Sequence, residues 1–210
     1  MRLRQWIKNG FVFIPLLFDR KFTDPYYFGL TLAGFFMLCL LSSAVYILND
    51  LVDIEADRAH PTKRNRPLAS GRLSRTTAII VAVAIPLLVI PAGFLLRTGF
   101  GLTLTGYLLL QVAYSFWLKH VVLIDVMTVS AGFVLRVVGG VVLVDVVRFS
   151  PWLYVFSTMI TLFLGFAKRR QEIVLTNGES TTRAILKEYN VRLLDEMIII
   201  ITATSVLTYA

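Results

Sequence analysis

The sequence predicts an all-α transmembrane bundle around a cavity open to one membrane face, and three observations predict it. The 210 residues are 57% hydrophobic with a mean hydropathy of +0.74, more apolar surface than one soluble core of this size can hide. The apolar residues are gathered into runs about as long as a bilayer is thick, where helices are the form that satisfies the backbone internally. The loops between the runs are basic on one face. No linker long enough to join a soluble domain is present, so residues 1–210 read as a single integral membrane domain.

Residues 2–18 begin basic and turn apolar, as a signal peptide does, but no small-residue cleavage site follows before Asp19-Arg20-Lys21, and the segment reads as a retained first helix. Tyr26 and Tyr27 fit the aromatic belt at the start of a second span, Tyr27 to Leu48. Further spans read as Thr76 to Leu96, Leu102 to Trp117, Val121 to Val144 and Trp152 to Phe166, with a seventh apolar run starting near Met197. Pro86 and Pro91 are candidate kinks in the third. Following the crossings, loops 58–75, 118–120 and 167–192 emerge on one face, joined by the N-terminus if the first helix spans, and together carry sixteen of the 21 Lys and Arg. Arg20, Lys21, Arg97 and Arg148 fall on the other face, and Arg136 lies within a span. By the positive-inside rule the first face is cytoplasmic, which makes this a multi-pass protein of the cell (inner) membrane. The net charge of +8 does not point to nucleic acid, because the cations are interleaved with spans; anionic membrane lipids and phosphorylated substrates fit better. The single Cys39 cannot form an intrachain disulfide and reads as packing.

The informative stretch is Asn49-Asp50-Leu51-Val52-Asp53-Ile54-Glu55-Ala56-Asp57-Arg58, followed by His60-Pro61-Thr62-Lys63-Arg64-Asn65-Arg66-Pro67-Leu68-Ala69-Ser70-Gly71. If the helix continues through it, Asn49, Asp50, Asp53 and Asp57 share about a third of the circumference over two turns, and Glu55 points the other way. Four oxygen-bearing side chains on one face repel one another unless a cation sits among them. Hard oxygens select Mg²⁺, usually shared with substrate phosphates. Lys63, Arg64 and Arg66 in the following loop suit phosphate oxygens. The plainer alternative is an acidic helix end beside a solvated basic loop.

Three further groups stand out. Tyr114, Lys119 and Asp125 flank a tight turn between spans; Lys119 would snorkel there in any case, whereas a carboxylate a few residues inside the membrane marks a functional or paired position. Arg136 follows Asp125 by three helical turns and returns almost to its face, with Gly132 and Gly139 on or near it and Gly140 following, small residues that let another helix or a substrate come close. That face reads either as the lining of a polar cavity or as one side of a structural interhelical ion pair. The third group is Lys168-Arg169-Arg170-Gln171-Glu172, at the end of the sixth span.

The string Asn49 to Asp57 resembles the Asn-Asp-x-x-Asp-x-x-x-Asp motif of the UbiA-type intramembrane prenyltransferase superfamily. The longer string to Gly71, with Arg4-Gln5-Trp6-Ile7-Lys8-Asn9, Tyr114-Ser115 and Leu118-Lys119-His120, is similar to its decaprenyl-phosphate phosphoribosyltransferase branch. The resemblance implies a nine-helix bundle of which about seven helices are present, as if two were missing at the C-terminus. It implies transfer of a 5-phosphoribosyl group from phosphoribosyl pyrophosphate to a polyprenyl (decaprenyl) phosphate, a step of cell wall biosynthesis. Mg²⁺ would be held by Asn49, Asp53 and Asp57, with Asp50 as an outer or additional ligand; Asp50, Asp53 and Asp57 are the catalytic set. Lys8, His60, Lys63, Arg64, Arg66, Tyr114, Lys119, Asp125, Arg136, Lys168, Arg169 and Glu172 are the expected substrate-binding residues. Prenyl-transferring relatives carry a second Asp-rich motif where this chain has Lys168 to Glu172, which implies a donor with more phosphate to hold. Prenyl transfer to an aromatic or other acceptor is the alternative activity. A transporter is the alternative of another class, but it calls for broken helices in paired repeats, which the sequence lacks. A homo-oligomer is left open.

Overall fold

The computed structural model describes residues 3–61, 63–146, 151–175, 185 and 188–209. Of the cations assigned to membrane faces above, Arg2, Arg148, Arg183 and Lys187 lie outside the described residues. A 3₁₀ segment, Leu3–Phe13, leads into α1 (Ile14–Phe18). Then come α2 (Pro25–Val52), α3 (Ile54–Ala59), a 3₁₀ turn at Lys63–Asn65, α4 (Arg75–Leu96), α5 (Thr98–Phe116), a 3₁₀ turn at Leu118–His120, α6 (Ile124–Val144), α7 (Pro151–Leu175) and α8 (Val191–Tyr209). No strand occurs among the described residues.

The local chemistry explains the helix starts. Asp24 accepts a hydrogen bond from the Tyr26 amide at 2.9 Å, and Pro25, which has no N–H to satisfy, opens α2. Ser74 caps α4 by accepting from the Thr77 amide at 3.0 Å. Pro86 and Pro91 both sit inside α4, which runs unbroken as one helical segment. Helices α2, α4 and α6 are long and apolar enough to cross a bilayer, and the chain is a multi-pass membrane protein. Only 11% of the most apolar window of α4 is buried, so that helix turns most of its side chains outward, as a lipid-facing span does. The other apolar runs are more polar as helices than as runs. Helix α7 continues to Leu175 and includes Lys168 to Glu172, and α8 starts at Val191 and includes Arg192, Asp195 and Glu196. The expected loop 167–192 is therefore corrected: its first third is helix, because Lys, Arg, Gln and Glu are good helix formers and Arg169 pairs with Glu172 one turn on.

The chain divides into two compact units. The first comprises Met1–Ser115 with Leu135–Val147. Its core joins Val12, Leu38, Leu41, Val45, Val89, Phe100, Leu104, Tyr107 and Leu143. Gly140 is required there: a Cβ would lie 2.1 Å from the Val12 carbonyl oxygen, so only glycine lets the first segment pack against α6. This is the close approach that the glycines of α6 implied. A smaller apolar cluster of Ile54, Leu68 and Ala78 pins the 60–74 loop between α3 and α4. The second unit comprises Phe116–Val134 with Arg148–Ala210, and Val126, Phe166, Ile173, Ile185, Tyr189, Leu194 and Ile201 form its core.

Candidate active site

In the first unit the Asp-rich stretch is helical on both sides of a single irregular residue. Helix α2 ends at Val52 and α3 starts at Ile54, with Asp53 between them at φ −94°, ψ 12°. The unbroken helix expected through this stretch is corrected to two helices in nearly one phase. The Asp53 amide still donates to the Asn49 carbonyl at 3.0 Å, and the Asp57 amide to the Asp53 carbonyl at 2.8 Å. The helical rotation is thus carried across the break, and Asp50 and Asp57 face the same way as expected.

What gathers them is Arg66. One guanidinium nitrogen donates to Asp50 Oδ1 at 3.1 Å and to Asp57 Oδ2 at 2.6 Å. The Arg66 side chain is 28% exposed, that of Asp50 13% and that of Asp57 4%. The expected metal set was Asn49, Asp53 and Asp57; the carboxylates brought together by a shared partner are Asp50 and Asp57, while Asn49 and Asp53 are half-buried on the adjoining turn. Arg66, expected on phosphate, is here the counter-charge of the motif. Glu55 points away, as its phase required, and pairs on the surface with Arg58 at 3.1 Å and Arg75 at 2.7 Å.

The loop that presents Arg66 is organised by its own polar groups. The Lys63 amide donates to His60 Nδ1 at 3.3 Å, and His60 thereby shapes the turn at Lys63–Asn65. Arg72 donates to the Asn65 carbonyl at 2.6 Å and Arg58 to the Ala69 carbonyl at 3.3 Å. Gly71, at φ +76°, closes the turn in a conformation that suits glycine. Lys63 is half-buried; the Arg64 side chain is exposed and has no hydrogen-bond or ion-pair partner among the described residues. Also in the first unit, Lys8 is exposed and Tyr114 half-buried.

Arg136 belongs to this unit as well. It is buried, donating from Nε to Asn9 Oδ1 at 2.8 Å and from Nη2 to the Tyr107 hydroxyl at 2.9 Å, with its charge 4.9 Å from the Tyr107 ring centre. Asn9 in turn donates to Ser42 Oγ at 3.1 Å. Arg136 thus ties the 3₁₀ segment, α2, α5 and α6 together. Asn9 and Tyr107 were not singled out from sequence as site residues; Asn9 stands at the basic start of the first segment beside Lys8, where an amide carries no special signal.

In the second unit Asp125 is completely buried on α6. It accepts from Arg169 Nε at 2.9 Å and from the Tyr189 hydroxyl at 2.5 Å, and that hydroxyl also accepts from the Leu123 amide at 2.8 Å. Arg169 donates to Glu172 Oε2 at 2.9 Å. Burial, then the bond to Asp125, pushes the Tyr189 phenol well above its usual range. Asp125 and Arg169 were both expected on substrate; the structure brings them together with Glu172 and Tyr189 in one closed network. Asp125 and Arg136 were expected to line one cavity or to serve a structural ion pair; each has partners within its own unit, and Asp125 makes an interhelical ion pair, with Arg169. Tyr189 was missed, since nothing in Glu188-Tyr189-Asn190 marks it. Lys168, one residue from Arg169, is exposed and has no hydrogen-bond or ion-pair partner among the described residues. Arg170 pairs with Asp195 on the surface. Lys119 is half-buried in the 3₁₀ turn before α6.

The donor set suits a hard divalent cation. Among the described residues no three His, Cys, Asp or Glu side chains form a cage, but Mg²⁺ is typically held by one or two carboxylates plus substrate phosphates and needs none. Asp50 and Asp57 already converge on a positive charge, so the oxygens and their spacing to a common cation fit.

An all-α membrane protein with an acidic motif at a helix end, its carboxylates facing one cation, is the class that fold and site define. Residues 12–210 match the model of the UbiA prenyltransferase family, and the chain belongs to that family. It is 44% identical over 172 residues to protein y4nM of Sinorhizobium fredii, covering 82% of this chain and 33% of that protein. It is 38% identical over 180 residues to decaprenyl-phosphate phosphoribosyltransferase of Corynebacterium glutamicum, covering 83% and 54%. The chain therefore spans a third of the first relative and about half of the second. A UbiA homologue from Archaeoglobus fulgidus, solved with DMAPP and Mg²⁺, superimposes with a TM-score of 0.79 at 17% identity, over 99% of this chain and 74% of that one.

Proposed function

We propose that this chain serves transfer of a 5-phosphoribosyl group from phosphoribosyl pyrophosphate to a polyprenyl phosphate such as decaprenyl phosphate, with release of pyrophosphate. The observation that carries the reading is the Asp50, Arg66, Asp57 centre beside an exposed Arg64, a site that can hold both a cation and a diphosphate. The relative named decaprenyl-phosphate phosphoribosyltransferase supports the choice of substrates. In the reaction an oxygen of the lipid phosphate bonds to the ribose anomeric carbon as the bond to pyrophosphate breaks. The lipid phosphate is anionic at neutral pH, so no strong base is needed, and positioning with charge stabilisation supplies the rate. Asp57 and Asp50, with Asn49 and Asp53 adjoining, would hold Mg²⁺, which would supply Lewis-acid neutralisation of the leaving pyrophosphate.

Within the chain, Lys63 and Arg64 hold the pyrophosphate, with His60 shaping their turn. Lys8 and Tyr114, in the same unit, suit the lipid phosphate, and in the second unit Lys168 and Lys119 are cations suited to phosphate. Asp125, Arg169 and Glu172 act on substrate only indirectly, as the frame for Lys168, and Arg136 frames the helices around the motif. The Asp-rich face is cytoplasmic, where the cations concentrate. Membranes carrying the chain, offered phosphoribosyl pyrophosphate and a prenyl diphosphate side by side, should consume only the former, and only when lipid phosphate is present. Asp57→Asn should abolish turnover while leaving the amount of folded protein unchanged. Prenyl transfer to an aromatic acceptor, or turnover in excess chelator, would replace this reading.

A further inference from the structure

A positive charge lodged between two metal-ligand carboxylates raises the question of what becomes of it when a metal arrives. Asp57 is too buried to lack a counter-charge, since an unpaired buried carboxylate is strongly destabilising. Arg66 supplies that charge. Yet it is the most exposed of the three side chains, so it has a way out that Asp57 lacks. Its backbone is fixed independently of the side chain: the Arg66 amide donates to the Lys63 carbonyl at 2.9 Å, the Ser70 amide donates to the Arg66 carbonyl at 2.8 Å, and Leu68 anchors the loop in its apolar cluster. Release therefore calls for rotation of one side chain, not refolding of the loop. The neighbouring Arg58 and Arg75 are engaged by Glu55 and do not compete for the motif.

We propose that Arg66 is an exchangeable counter-ion: it holds Asp50 and Asp57 in place of the divalent cation, and gives them up when that cation and a diphosphate bind. The inference rests on the metal-diphosphate reading above. The released guanidinium is suited to bidentate contact with phosphate oxygens, close to where it was held. Two consequences follow. Arg66 and the cation compete for the same carboxylates, and the cation and diphosphate assist each other through Arg66, each strengthening the other's binding by the same factor.

The test is Mn²⁺ binding, read by electron paramagnetic resonance on the full chain in detergent with and without inorganic pyrophosphate. Arg66→Gln should bind Mn²⁺ on the order of tenfold tighter than the unaltered chain when pyrophosphate is absent, because one partly exposed competing charge is lost from both carboxylates. With Mn²⁺ bound, the same variant should hold pyrophosphate more weakly. Arg64→Gln removes an equal charge two residues away that touches neither carboxylate, and in the absence of pyrophosphate should leave the Mn²⁺ affinity within twofold. Arg66→Lys keeps a counter-charge for Asp57 and guards against a folding defect; it should lower the coupling between Mn²⁺ and pyrophosphate without abolishing it. Equal or weaker Mn²⁺ binding by Arg66→Gln would overturn the exchange and leave the proposed function standing. So would equal tightening by Arg64→Gln, which would make the effect one of net charge. Absence of Mn²⁺ binding by every form, with pyrophosphate present, would remove the metal reading and the exchange with it.

Discussion

Arg66 and Arg169 do the same thing in two places, each joining two carboxylates, but burial separates their roles. At Arg66 the side chain is 28% exposed and its partners are Asp50 and Asp57 alone among the bonds described above. At Arg169 the side chain is 6% exposed, Asp125 is fully buried, and a phenol, Tyr189, closes the remaining carboxylate oxygen. Water can take over the bonds of the Arg66 guanidinium when it leaves the first centre. In the second, water has little access to Arg169 and Asp125, so the loss of either charge is strongly unfavourable. One chemistry thus yields a centre that can exchange its cation and a centre that holds helices.

The largest expected effect tests that division. Asp125→Ala leaves Arg169 charged and buried, and should lower stability by about 3–5 kcal/mol, measured from denaturant midpoints in a fixed detergent. Asp57→Ala should lower it by less than half as much, because Arg66 keeps Asp50 and can turn to water. Equal losses at the two sites would end the distinction between them.

Next in size is Tyr189→Phe, which removes a hydrogen bond to a buried carboxylate and should cost about 1.5–3 kcal/mol. It also carries a sign in pH. The Tyr189 phenol is raised in the folded protein, so the folded state holds that proton more firmly than the unfolded state does. Its stabilisation is fully present below the unfolded value near pH 10 and is lost as pH rises towards the folded value. Unfolding followed above about pH 10 should show a decline in the unaltered chain that is shallower in Tyr189→Phe. An identical alkaline slope would mean that Tyr189 is not held as its geometry indicates.

Much of the first centre was legible in the sequence, and little of the second. The periodicity of Asp50, Asp53 and Asp57 survives the break at Asp53 because the amide ladder continues across it. The opposite facing of Glu55 followed from the same arithmetic. Which cation of the loop would meet the carboxylates was not legible, because Lys63, Arg64 and Arg66 differ only in how a non-repetitive turn aims them. The turn depends on His60 Nδ1, Gly71 and the burial of Leu68. In the second centre, Asp125 announced itself as an acid in an apolar run. Its partners lie 44 and 64 residues away, and no local pattern selects Arg169 over Arg170 or Tyr189 over another tyrosine. Arg136 was visible for the same reason as Asp125, and its partners Asn9 and Tyr107 were hidden for the same reason.

The smallest expected effect concerns Lys168-Arg169-Arg170, which as a string looks like one cationic wall. On a helix, successive residues are rotated by about 100°, so three adjacent cations cannot share an environment. Helix α7 sends Arg169 inward to Asp125, leaves Lys168 exposed, and turns Arg170 to the surface, where it pairs with Asp195 of α8. An exposed pair is screened by salt and costs side-chain entropy to hold, so Asp195→Asn should not shift the unfolding midpoint resolvably at 0.15 M salt. Lys168→Ala should be equally silent in unfolding. It differs from Asp195→Asn in ligand binding: isothermal titration should show phosphoribosyl pyrophosphate bound several-fold more weakly and inorganic pyrophosphate nearly unchanged, because only the former carries the additional phosphate. Equal weakening of both ligands would place Lys168 on the pyrophosphate. A stability loss in Asp195→Asn as large as that in Asp125→Ala would mean that burial is not what separates Arg169 from its neighbour.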